Sequence, residues 1–278
     1  AEAQLRQAGE DARPALELSV QSKDPEVKTR AARLLGILKS EPILKKMEAA
    51  ERETSTIEAD MTMKMSMMGM QTENKGHLRG DSDGKRSAME MTTKTRDLEI
   101  KIKMVSDGKT MWTESDVPGQ EEKIVQKFSL DSIDNFGGVY GQNPAQMSKK
   151  MREQYTFTDV KEEKLPDNTE VYVLEGTQNA AALEKQVEDV EKVAGAAAGA
   201  MVRAQAATMK RVKYYVSKEY QARKVEVLDE GGQVVMSMEL TNIKLNQKFD
   251  PEIFKYTPPQ GVKVMDMDEI MKKGILHE

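Results

Sequence analysis

The side chains that most often carry catalysis are scarce in this chain. Of its 278 residues two are histidines and none is cysteine. Without thiols there is no disulfide, no thiolate zinc site and no cysteine nucleophile. His77 lies in a polar, glycine-flanked stretch and reads as a surface residue; His277 is the penultimate residue. Neither has a neighbour at ligand spacing, so no histidine metal site or triad is expected. G-x-S-x-G, P-loop and G-x-G-x-x-G motifs are absent. The acidic residues alternate with apolar ones in strand-like segments and therefore face water, and no carboxylate pair stands out by spacing. The chain reads as a binding protein rather than an enzyme, with no cofactor and no metal.

Methionine is the unusual residue. There are 20, against five phenylalanines and one tryptophan. Met61, Met63, Met65 and Met67 alternate with Thr62, Lys64 and Ser66. Period two is a strand with one buried and one exposed face. Three readings stand on this pattern: a methionine-filled core, an adaptable apolar surface for acyl chains, or a soft-metal site, since thioethers bind Cu(I). Against the metal, alternate residues of one strand lie roughly 6.6–6.8 Å apart, too far to share an ion unless the side chains bend together.

These residues need a scaffold, and the sequence divides into parts that supply one. Residues 1–39 are helical, with Asp24-Pro25 as cap and first turn of a helix. The stretch GEDARPALELSVQSKDPEVKTRAARLLGIL resembles one HEAT-type repeat unit, and a plain helical hairpin is the equal alternative. A single unit does not bury its own apolar face, so packing on another element, or further repeats, is expected. Residues 40–278 read as a β-domain opened by a helix over PILKKMEAAERETS. The phase slip at Met67-Met68 predicts a bulge. Met89 and Met91 follow a turn at Gly80, Asp81, Asp83 and Gly84. Leu98, Ile100, Ile102 and Met104 alternate with charged residues, and Ser106-Asp107-Gly108-Lys109 joins them to Met111-Trp112 as a hairpin. Further strands are predicted at 123–130, 170–175, 212–216, 223–228 and 234–243, the last two joined by Asp229-Glu230-Gly231-Gly232, with a short helix near 144–154. Tight turns and few helices argue for an antiparallel sheet.

A helical insertion at about 178–210 interrupts the β-domain. Leu183, Val187, Val190, Ala194, Ala197 and Met201 form a seam spaced 4, 3, 4, 3, 4. Gly195 and Gly199 weaken it by roughly 1 kcal/mol each. One long helix packed on the sheet edge or on the N-terminal helices, a lid over the sheet, and a docking helix for a partner are the readings.

Composition excludes other classes. Charged residues are 32%, hydrophobic ones 38%, and the net charge is −5. That is a globular balance without the basic face of a nucleic-acid binder. The weakly polar run 193–202 is far short of the roughly 20 residues that span a bilayer. The chain begins at Ala1, so a removed targeting segment or an upstream lipid anchor is expected.

Residues 42–266 resemble the bacterial lipoprotein-carrier superfamily, the LolA/LolB-like lipoprotein-sorting proteins. The stretches PILKKMEAAERETSTIEADMTMKM, SDGKTMWTE, NPAQMSKKMREQYTFTDVKEE with NTEVYVLEGT, and the run from VKYYVSKEYQARKVEV through NIKLNQKFDPEIFKYTPPQGVKVMD carry the resemblance. The insertion and the N-terminal repeat lie outside that pattern. The resemblance implies an α+β fold: a strongly curved antiparallel half-barrel, covered by helices, that shelters acyl chains outside the cytoplasm, in the periplasm. The expected cargo is a lipid or lipidated protein. Inward candidates are Met61, Met63, Met65, Met67, Met89, Met91, Leu98, Ile100, Ile102, Met104, Met236, Met238 and Leu240, with Trp112, Phe128 and Phe136 as aromatics. The alternative is a structural or interaction module of the same fold, with a filled core and a protein partner on the 1–39 or 178–210 helices.

Overall fold

In a computed structural model, which describes residues 9–67, 70–81, 85–95, 98–120, 122–130 and 151–270, Asp24 caps a helix as the sequence predicts. Its carboxylate accepts hydrogen bonds from the backbone N–H groups of Glu26 (2.8 Å) and Val27 (3.3 Å), and Pro25 fills the first position, where no donor is needed. A 3-10 turn, Gly9–Ala12, leads into α1 (Arg13–Ser19), and the capped helix is α2 (Pro25–Glu53). Ala12, Leu16, Ala31, Leu34 and Leu38 form a buried cluster between them. The N-terminal hairpin thus buries an apolar seam between its own helices, and its second helix also packs on another element, the sheet.

The sequence starts a new helix at Pro42, but α2 runs through it for 29 residues. Proline deletes one helical hydrogen bond. Packing on both sides, Leu38 against α1 and Met47 against the sheet, holds the helix continuous. Its middle crosses a strand so closely that Gly36 has no room for a side chain: a Cβ there would overlap the Thr158 carbonyl. Buried Ser40 donates its hydroxyl to the carbonyls of Ile37 (3.0 Å) and Phe157 (3.1 Å), tying the helix to the same strand.

Twelve strands form one open sheet: β1 (Thr56–Met67), β2 (Met70–Asp81), β3 (Arg86–Lys94), β4 (Glu99–Asp107), β5 (Thr110–Asp116), β6 (Ile124–Ser129), β7 (Tyr155–Lys164), β8 (Glu170–Gln178), β9 (Arg211–Ser217), β10 (Ala222–Leu228), β11 (Val234–Leu245) and β12 (Val264–Asp266). Their order is β12-β6-β5-β4-β3-β2-β1-β11-β10-β9-β8-β7. All neighbours are antiparallel except β12, which pairs parallel to β6. The sheet is therefore mixed rather than wholly antiparallel. Antiparallel hairpins dominate because tight turns join successive strands.

One expectation about the strands is corrected. The phase slip after Met67 is no bulge: β1 ends there, and Met67 pairs with Met70 at the start of β2. The irregularity opposite β1 lies instead in β11, where Glu58 pairs with Lys244 but Asp60 with Thr241, and Asn242 adopts φ 51°. Three strands, β2, β7 and the three-residue β12, are not among those predicted. β2 presents Asn74, Gly76, Leu78 and Gly80 on one face, so no apolar alternation betrays it, and β7 (YTFTDVKEEK) turns polar after Phe157. The expected helix near 144–154 falls largely outside the described residues, as do Phe136 and His277.

The insertion is α3 (Ala180–Ala207), capped by Asn179, whose side chain accepts from the N–H groups of Ala181 (3.1 Å) and Ala182 (3.3 Å). It is not one long helix. Gly195 takes φ 81° and ψ 169°, a conformation open to glycine, and the chain folds back there. Arg203 returns to Glu191 (2.7 Å) and Glu184 (3.5 Å). The seam ends with the fold-back: Val187 and Val190 are buried, whereas Met201 is 74% exposed. No helix among the described residues is long and apolar enough to cross a membrane.

Candidate functional site

The apolar residues of the sheet gather on one face. Directly opposed residues of antiparallel strands share a face, so the pairings trace it. Met61 opposes Leu240, Met63 opposes Met238 and Met65 opposes Met236. Across β2, Met61 meets Gly76 and Ala59 meets Leu78. Gly76 opposes Met91 and Leu78 opposes Met89. Met89, Met91 and Thr93 then meet Met104, Ile102 and Ile100. This is also the helix-bearing face, because Met47, Ile43 and Leu44 of α2 pack into the same core as Met61, Met236, Met238, Leu240, Leu174 and Tyr214.

Burial grades along the band. Met61, Met104, Met236, Met238 and Leu240 are buried. Met63, Met65, Met89, Met91, Ile100, Ile102 and Phe128 are half-buried. The packed end lies under α2; the half-buried end lies on β1 to β4.

Charge is segregated completely along these strands. By the register of β1 to β6 and β11, every charged residue falls on the opposite face, among them Glu58, Lys64, Arg79, Glu90, Lys101, Lys103 and Glu114. What interrupts the apolar band is uncharged, such as Thr72, Asn74, Ser87, Thr93, Ser106, Thr113, Ser115 and Gln126.

Two sequence candidates lie elsewhere. Trp112 opposes Val105 on the opposite face and packs against Tyr256, ring centroids 5.5 Å apart. The register forces this: Met104 points to the helix-bearing face and a two-residue turn pairs Ser106 with Met111, so Met111 shares that face and Trp112 does not. Met111, buried and opposite Phe128, belongs to the band instead. Leu98 precedes β4 in a turn, its carbonyl accepting from Thr95 N–H (2.9 Å), and is 37% exposed. Met67 ends β1. Leu78 was missed because β2 was missed.

His77 is a surface residue, its side chain 40% exposed, but it has carboxylate partners. Its Nδ1 lies 2.7 Å from Asp60 and its Nε2 3.2 Å from Glu58. Hydrogen bonds from Asn242 and His77 hold the Asp60 carboxyl below its usual range. This cluster ties β1, β2 and the irregular stretch of β11 together on the opposite face. Among the described residues no group of three or more histidine, aspartate or glutamate side chains is placed to hold a metal ion.

The C-terminal segment crosses the opposite face and is pinned there. Tyr256 donates to Glu114 (2.6 Å), which also pairs with Lys123 (2.5 Å). Burial opposes ionisation of Glu114, but the Lys123 and Tyr256 hydrogen bonds outweigh it and lower its pKa. A depressed carboxyl contributes stability above its unfolded value and loses it as pH falls through the folded one. Trp112 is the only tryptophan and touches Tyr256, so its fluorescence reports this contact. The emission is expected to change in an acid transition below the ordinary glutamate range. Tyr256→Phe is expected to move that transition to higher pH; an unmoved midpoint would show that Glu114 does not govern it.

No family model matches the chain, and no curated protein matches it. It is similar to several solved structures at low identity. An uncharacterized conserved protein from Thermus thermophilus is 10% identical over 82% of this chain and 99% of that one, with a TM-score of 0.42. The lipoprotein LppX from Mycobacterium tuberculosis is 8% identical over 75% and 96%, TM-score 0.42. LprF from Mycobacterium bovis is 11% identical over 76% and 95%, TM-score 0.41.

Proposed function

We propose that this protein is an extracytoplasmic carrier that shelters the acyl chains of a lipid or lipidated protein against the half-buried methionine band of β1 to β4. The single observation behind the reading is the absence of charge on that band: β1 to β6 and β11 direct every charged side chain to the other face. Unbranched, polarizable methionine side chains conform to chains of varied length and unsaturation. Curvature of the sheet into a half-barrel, with residues 40–278 as the carrier unit and 1–39 as an appended hairpin, belongs to the same proposal.

Magnitudes favour a cargo with more than one chain. Burying about a dozen methylenes yields roughly 10 kcal/mol at about 0.8 kcal/mol each. Association costs about 4–15 kcal/mol. One chain roughly breaks even, and two or three bind.

The alternative, an interaction module without cargo, draws support from Leu18 and Met201, 73% and 74% exposed on the two helical appendages. Native mass spectrometry of protein purified from its own envelope, with organic extraction, separates the two. A stoichiometric acylated species supports the carrier and names the cargo. A bare mass, unchanged after incubation with phospholipid or lipopeptide, removes the carrier reading.

A further inference from the structure

A second site lies on the opposite face of the same strands. A recess of about 170 Å³ is lined by His77, Arg79, Ala88, Glu90, Lys103, Val105 and Ile253, with Met89 and Met104 of the methionine band also contributing to its wall. Small Ala88 and buried Val105 line it, together with Ile253 from the 3-10 turn Pro251–Phe254 of the C-terminal segment.

Arg79 lacks the partner its position offers. It stands opposite Glu58 across β1 and β2, where a cross-strand ion pair is the ordinary outcome. Glu58 is taken: its Oε1 lies 3.2 Å from His77 Nε2 and 3.6 Å from Lys244 Nζ. Arg79 Nε is buried without a hydrogen-bond partner, and among the described residues the Arg79 side chain makes no ion pair within 4.0 Å. A buried charged donor left open is costly, and the half-buried guanidinium that carries it also lines the recess. Lys103, on the same recess, makes no ion pair within 4.0 Å among the described residues, although it stands opposite Glu90 and Glu114 across β3 and β5, and it adds a second positive charge.

We infer that this recess binds a phosphate group, with Arg79 as the hydrogen-bonding fork and Lys103 as the second charge. A planar guanidinium matches two oxygens of an oxyanion at once, and two cations suit a dianion better than a carboxylate. His77 acts as a positioning residue: both ring nitrogens face carboxylates, and by engaging Glu58 it keeps that group from neutralising Arg79. Glu90 lines the rim and opposes the anion. The polar groups of the site stand on the face opposite the methionine band, although Met89 and Met104 contribute to both, and the two proposals are tested by different measurements.

The test uses the whole protein and inorganic phosphate. Isothermal titration and thermal melts are run against chloride at matched ionic strength. Phosphate is expected to bind the wild-type protein and raise its Tm. Arg79→Gln is expected to weaken binding about tenfold or more, since a hydrogen bond to a charged group is lost, and to melt no lower than wild type without phosphate. Glu90→Gln is expected to tighten binding. Vesicles with and without phosphatidic acid identify the source: vesicle binding competed by free phosphate assigns a lipid headgroup, and phosphate binding without vesicle binding assigns a free phosphate. A wild-type response no greater than chloride's, or an Arg79→Gln response equal to wild type, overturns the inference. The presence or absence of acyl cargo in mass spectrometry does not bear on this outcome.

Discussion

Gly36→Leu is expected to destabilise the protein by more than about 3 kcal/mol, although the same change in an open helix stabilises. Leucine gains about 0.8 kcal/mol over glycine in helix propensity. Here that gain is overwhelmed. The new Cβ would occupy the place of the Thr158 carbonyl, and neither the helix nor the strand can yield by rotating a side chain, because the obstacle is backbone. Relief requires α2 to lift from β7. That breaks the Ser40 hydrogen bond to the Phe157 carbonyl and loosens Met47, which is fully buried in the main core. Overpacking alone costs about 1–3 kcal/mol, occasionally more, and the lost hydrogen bond leaves a buried hydroxyl short of a partner. Urea unfolding measures it. A midpoint equal to or above wild type would mean that α2 is not seated on the sheet edge, and the helix-bearing face would lose its cover.

The second large effect concerns cargo. Met91→Asp places a carboxylate on the uncharged band, with Gly76 and Ile102 as its cross-strand neighbours. Met91 is half-buried, so the folded chain hydrates the new charge, whereas a bound acyl chain does not. Acyl binding is expected to fall about 100-fold, for a penalty of about 3 kcal/mol. The matched control is the adjacent residue: Thr92 points to the opposite face between Lys75 and Lys101, where Thr92→Asp meets favourable charges and leaves cargo untouched. Quantitative lipid extraction of the two variants, with urea midpoints to confirm folding, gives the comparison. Equal cargo in both, or equal loss in both, would rule out the methionine face as the binding surface.

Much of the band was legible because it obeys a period of two. Met61, Met63, Met65, Met89, Met91, Ile100, Ile102, Met104, Met236, Met238 and Leu240 alternate with polar partners, and alternation alone assigns them to one face of a strand. The cap at Asp24-Pro25 was legible for the same local reason: it needs only residues two and three positions away. Trp112 was misplaced although the information was local too; counting through the two-residue turn from Met104 turns it to the far side.

The rest depends on residues distant in sequence. Strand β2 has too few apolar residues to announce itself, and exists because Met61 and Met91 pair on either side of it. The helix through Pro42 survives because α1 and the sheet hold its two halves. His77 gains its carboxylates only when β1 and β2 align, and Arg79 loses Glu58 by that same alignment. Periodicity and capping are properties of neighbouring residues and are written in the sequence directly. Which strands pair, and so which charges meet and which stay open, is set by contacts across the whole sheet, and only the folded chain decided them.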